Sequence, residues 1–103
     1  MPRKDRTEIV AQARSALIVA AMRRTFLTYK ELGLAIGLEG IALRNEMRHV
    51  LDELSVFCND QGEPSLAALV VGQRSGAPGP GWTDGDLQWI EETRAVFDWW
   101  KPV

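Results

Sequence analysis

The chain has 103 residues, 46% of them apolar and 25% charged, with a formal net charge of −2. That length holds one domain with its own core, and the composition is that of a soluble globular protein rather than a disordered or fibrous one. Cys58 is the only cysteine, so an internal disulfide framework is excluded, and no apolar run approaches the ~20 residues of a membrane-spanning helix.

The apolar patch Ser15–Met22 is short and bracketed by Arg14, Arg23 and Arg24, unlike the long h-region of a signal peptide. A cytoplasmic protein with a buried, reduced thiol is the expectation. Residues 1–50 carry nine Lys/Arg against five Asp/Glu, and residues 51–103 carry three against nine. Such polarity either orients a protein on a polyanion or leaves an inert dipolar surface.

Residues 1–5 read as a flexible basic arm, with Arg3, Lys4 and Arg6 as its cations. Asp5 and Glu8 then suggest the start of a first helix. Ile9, Ala13, Ala16, Leu17 and Ala20 recur at helical spacing, widened by Val10, Ile18, Val19 and Ala21, which predicts burial on more than one side. The helix should end near Arg23 or Arg24, where positive charge suits the dipole. Thr25–Leu27 reads as a short strand.

Thr28-Tyr29-Lys30-Glu31 fits a capping box opening a second helix to about Ile36, burying Leu32, Ala35 and Ile36. Gly37 supplies a left-handed cap, and Leu38-Glu39-Gly40 leaves room only for a tight turn. A third helix from about Ile41 to Asn59 shows the clearest period. Leu43, Met47, Val50, Leu51, Leu54 and Cys58 share one face, with Phe57 at its margin, and Arg44, Asn45, Arg48, Asp52 and Ser55 lie opposite. The apolar run Leu66–Val71 predicts a buried strand. Arg74–Gly81 is a stiff Gly/Pro turn, and Thr83 caps a last helix that Pro102 stops. In that helix Leu87, Ile90 and Phe97 mark one apolar line, and Trp89, Val96 and Trp100 another. Since Thr83 already starts a helix, the return strand of any wing is truncated.

His49 lies between Glu46 and Glu53 at spacings of three and four, a geometry that could hold a metal. One imidazole with two flexible acids on an open face is more often a solvated charged surface, so no metal is expected. Cys58 and His49 point about 180° apart on one helix, which argues against a nucleophile–base pair. The phosphate-loop and dinucleotide patterns are both missing. No cofactor and no enzymatic activity are expected.

Arg44, Asn45 and Arg48 occupy the first half of the third helix's solvent face, where a recognition helix meets a major groove. Arginine pairs with guanine, and asparagine with adenine. Lys30 and Arg74 suit backbone phosphates. Glu39, Glu46, Asp52 and Glu53 make the same region acidic, against the unopposed cations that strong nonspecific binding needs. All four tryptophans follow residue 81. Core packing suits Trp89, whereas Trp99 and Trp100 point in different directions, so either one can serve an interface or the core.

The run Thr28-Tyr29-Lys30-Glu31-Leu32 with Gly37, then Ala42-Leu43-Arg44, Pro64 and Leu69-Val70-Val71 before a glycine turn resembles the winged-helix domain of alkylguanine-DNA alkyltransferases and alkyltransferase-like proteins. The resemblance implies that Tyr29 and Arg44 work at an extruded nucleotide. The family's Pro-Cys-His-Arg segment corresponds here to Pro64-Ser65-Leu66-Ala67, so alkyl transfer is excluded. Residues 25–82 are also similar to small prokaryotic and phage-type proteins of unassigned role, through Pro64–Val71 and Gly76-Ala77-Pro78-Gly79. The combined expectation is one mainly helical α+β domain, a winged helix-turn-helix with an N-terminal packing helix and a Trp-rich C-terminal helix. Its expected partner is double-stranded DNA, and the alternative is a protein-interaction adaptor or homodimer using the acidic half with Trp99 and Trp100.

Overall fold

The computed structural model describes residues 5–72 and 85–102. In chain order they form α1 (Thr7–Met22), β1 (Leu27–Thr28), α2 (Tyr29–Ile36), α3 (Gly40–Asp60), a 3₁₀ turn (Leu66–Leu69), β2 (Val70–Val71) and α4 (Gly85–Trp99). The fold is therefore mainly helical with a very small sheet.

The apolar stripe of α1 places it centrally. At 100° per residue its buried positions Ala13, Leu17, Ala20 and Ala21 span an arc of about 100°. Half-buried Ile9, Val10, Ala16 and Ile18 widen that arc, so that α1 touches α2, α3, the 3₁₀ turn and α4. Three alanines on the buried arc let those neighbours approach closely. Val19 stays 54% exposed, which narrows the expected stripe on one side. Its N-cap is Arg6, with no side-chain cap, so the expected Asp5–Glu8 start is corrected. The Asp5 carboxylate instead accepts from Thr7 N at 2.9 Å, which holds it below its ordinary pKa. At the other end Arg24 is left-handed (φ 55°). Arg24 N donates to Ala21 O and Thr25 N to Ala20 O, the Schellman pattern.

The capping box of α2 is formed as its sequence predicts. Glu31 N donates to Thr28 Oγ1 at 3.0 Å, and Thr28 N to the Glu31 carboxylate at 2.8 Å. Leu32 and Ile36 are buried, but Ala35 is exposed and Gly33 takes the third buried position. Helix α3 buries Met47, Val50, Leu54 and Cys58. Leu43 and Leu51 are half-buried and pack on the core from its edge.

Two strand expectations need correction. Thr25 and Phe26 lie outside β1, which pairs in parallel with β2 through Leu27↔Val70 and Thr28↔Val71. Leu66–Leu69 is a 3₁₀ turn, not strand. A strand would send alternate residues to opposite faces, whereas Leu66, Ala68 and Leu69 are all buried among α1, α3 and α4. Backbone bonds here also go to α4: Trp89 Nε1 donates to Ala68 O at 2.7 Å, and the N–H of Ser65, the residue before the turn, donates to the Glu92 carboxylate.

In α4, Thr93, Val96 and Phe97 are buried, and Trp100, just beyond its end, is half-buried. Ile90 is 42% exposed, so its expected apolar line does not face the core as a unit. The basic arm's Arg3 and Lys4, Arg74, the Gly76–Gly81 turn, Trp82 and the Thr83 cap lie outside the described residues. Among the described residues no helix is long and apolar enough to cross a membrane.

Candidate nucleic-acid interface

Helices α2 and α3 are joined by Gly37, Leu38 and Glu39 alone. The turn is so short because Gly37 takes φ 79° without a Cβ penalty. Leu38 N then donates back to Gly33 O at 2.8 Å, and the Leu38 side chain is buried. The result is helix–turn–helix connectivity with the turn pinned to the core. Beside it runs an open groove of about 440 Å³ lined by Tyr29, Lys30, Leu34, Gly40 and Leu43 among others. The fold thus brings Tyr29 and Lys30 to the first turn of α3. Tyr29 is half-buried against the core, and Lys30 is exposed.

Viewed down α3 at 100° per residue, the buried stripe is flanked by two unlike edges. Arg44 and Arg48, both exposed, lie toward one edge, with Asn45 further out on the solvent side. Glu46 and Glu53 lie toward the other. Arg6 reaches across from the start of α1 to that second edge. Its Nε donates to Glu46 at 2.9 Å and its Nη1 to Glu53 at 3.2 Å. The Arg6 side chain keeps 13% of its surface exposed, and the two carboxylates raise its pKa, Glu46 most through a direct hydrogen bond. Arg6 is therefore not part of a free basic arm. It is the counter-ion of Glu46 and Glu53, which the helix period already places away from the arginine edge. Glu46 and Glu53, considered above as metal ligands beside His49, both serve this guanidinium.

Asp52, one turn after Arg48, is exposed beside this edge, and Glu39 is exposed at the N-cap of α3, so the edge is a small cationic strip rather than a broad positive field. The expected phosphate contact Arg74 lies outside the described residues.

The C-terminal tryptophans separate clearly. Trp99 is 55% exposed, whereas Trp100 packs against the core. Arg14 explains the difference. Its Nη2 grips both carboxylate oxygens of Glu63 at 2.9 and 2.8 Å. Its guanidinium carbon lies 5.2 Å from the Phe57 ring centroid and 5.4 Å from that of Trp100. Trp100 is thereby a packing residue, and Trp99 is the indole that faces outward. Trp89, expected in the core, is half-buried and tied to Ala68 O. Cys58 is fully buried, and burial pushes its thiol pKa up, the opposite of what a nucleophile needs.

Sequence reasoning missed Arg6, whose role depends on a contact forty residues away. It also missed Arg24, Phe26 and Thr93, which converge from α1, the segment before β1 and α4. The chain matches no protein family, no curated protein and no solved structure.

Proposed function

We propose that this protein is a non-enzymatic, cytoplasmic DNA-binding module of winged-helix type that reads duplex DNA through α3. The observation that carries the reading is the sorting of charge on α3. Arg44 and Arg48 are exposed on one edge with Asn45 beside them, while Arg6 engages Glu46 and Glu53 on the other. Arg44 and Arg48 then offer forked donors to guanine or phosphate, and Asn45 an amide to adenine. Lys30 and Tyr29, at the head of α2, lie where the backbone of a strand entering the groove would pass, and Arg74 is assigned a phosphate contact.

The test is anisotropy of a labelled duplex across a salt series. Arg44→Ala/Arg48→Ala is expected to weaken binding at least tenfold and to flatten the salt slope by about two if both residues meet phosphate. Unchanged affinity in that variant overturns the reading. It would leave the adaptor alternative, which rests on the outward-facing indole of Trp99 and the acidic second half of the chain. Aromatic side chains of that kind are enriched at protein–protein hot spots.

A further inference from the structure

Away from α3, a concavity of about 230 Å³ opens between the end of α1, Phe26 and α4. Its walls include Arg24, Phe26, Trp89, Thr93, Arg94 and Phe97, with the exposed Ile90 beside them. The three rings form one cluster: Phe26 lies 5.8 Å from Trp89 and 5.6 Å from Phe97, centroid to centroid. Phe26 nevertheless keeps 41% of its surface exposed. Trp89 is fixed by its bond to Ala68 O, and Phe97 is buried, so the cluster is a rigid platform with one open ring.

Three features set these walls apart. Arg24 is the one non-glycine residue with positive φ among those described, a conformation that costs an L-residue about 1–2 kcal/mol. A glycine would fit there without strain, yet the arginine is present and holds its guanidinium 5.1 Å over Phe97. Arg94 is exposed on the rim, and neither arginine forms an ion pair among the described residues. Thr93 is only 8% exposed, and its hydroxyl has no hydrogen-bond partner. Buried polar groups are normally satisfied. An aromatic platform and two guanidiniums with no carboxylate partner among the described residues thus line one cleft, with an unsatisfied hydroxyl buried in its wall.

At roughly 30 Å³ per water, the space equals about eight waters. That is room for a single planar ring system. Stacking on an exposed ring with arginine at the phosphate is how unpaired bases are held. We propose that this cleft binds an unpaired nucleotide, its base stacked on Phe26 and its phosphate held by Arg24 and Arg94. Glu91 and Asp98, three residues before and four after Arg94, are the exposed acids beside this rim, Glu92 being bonded to Ser65 N, and Arg23 adds a further cation beside Arg24. The cleft shares no residue with the α3 strip, so this site stands or falls apart from duplex binding.

The experiment is anisotropy of labelled oligothymidylate, about eight nucleotides long, with the full chain at low salt. Phe26→Leu keeps the apolar volume but removes the ring, and is expected to weaken binding roughly 5- to 150-fold. Arg24→Gly retains the left-handed backbone without strain, and is expected to weaken binding and lower the salt slope by about one. Arg44→Ala/Arg48→Ala should leave this affinity unchanged. Binding unaffected by both Phe26→Leu and Arg24→Gly overturns the proposal, as does an abasic oligomer of equal length binding equally well. So would an aromatic, acidic peptide that binds with Phe26 dependence where oligothymidylate does not, since it identifies a protein ligand.

Discussion

A Cβ built on Gly33 would stand 2.6 Å from Leu43 Cδ1 and 2.7 Å from Leu38 O. The leucine tip can rotate away, but the carbonyl belongs to the turn that links α2 to α3. That turn is already tied to Gly33 by the Leu38 N–H bond. Gly33→Ala should therefore lower stability by about 2 kcal/mol, the overpacking cost net of alanine's better helix propensity. Urea unfolding measures it, and a variant as stable as the parent would show that the turn relaxes freely. Gly37 differs in kind: nothing lies within 4 Å of its built Cβ, and its φ of 79° is the constraint. The distinction explains what could be read in advance. Gly37 follows a helical pattern and announces a cap, whereas Gly33 lies inside one and looks merely like a weak helix former. Its necessity comes from Leu38 and Leu43, which only the folded chain brings near.

At the scale of elements, periodicity was a good guide where a helix is amphipathic and a poor one where it is not. The stripe of α3 and the Thr28–Glu31 box located two helices to within a residue or two, because each local signal agrees with its tertiary role. Leu66–Leu69 has no period at all. A short apolar run looks alike as a strand or a turn, and the bonds from Trp89 and Glu92 that decide it come from α4, more than twenty residues away. The recognition candidates were legible for a similar reason: Arg44, Asn45 and Arg48 are set by the period of one helix. The electrostatics of the same helix were not, since they depend on α1. Arg6→Ala should release Glu46 and Glu53 and lower the melting temperature, with a smaller loss at high salt, where the more exposed Glu53 arm is screened and the half-buried Glu46 arm less so. Thermal melts at low and high ionic strength check this. Equal losses in both would assign Arg6 to packing along its stem rather than to charge.

For the whole molecule the question is whether helices joined by such a small sheet unfold together or separately. The radius of gyration, 13.0 Å, is about what a folded chain of this length shows. One buried cluster draws on every helix, from Ala13 and Leu17 of α1 through Leu32 and Val50 to Val96 of α4. Cys58 sits inside that cluster at zero exposure, and a thiol reagent can reach it only when the cluster opens. Burial raises its pKa above the ordinary value, so the folded state favours the neutral thiol. That contribution is complete at neutral pH and is lost as pH rises through the folded-state value, where the unfolded chain is already thiolate. Alkylation at mildly alkaline pH should therefore follow global unfolding rather than fraying of α3. Gly33→Ala supplies the check, because its site is remote in sequence from Cys58. A loss of about 2 kcal/mol should speed labelling roughly 30-fold at one pH, a factor of ten for each 1.36 kcal/mol. If the variant is destabilised in urea but labels at the parent rate, the end of α3 opens on its own, and the single cooperative core is refuted.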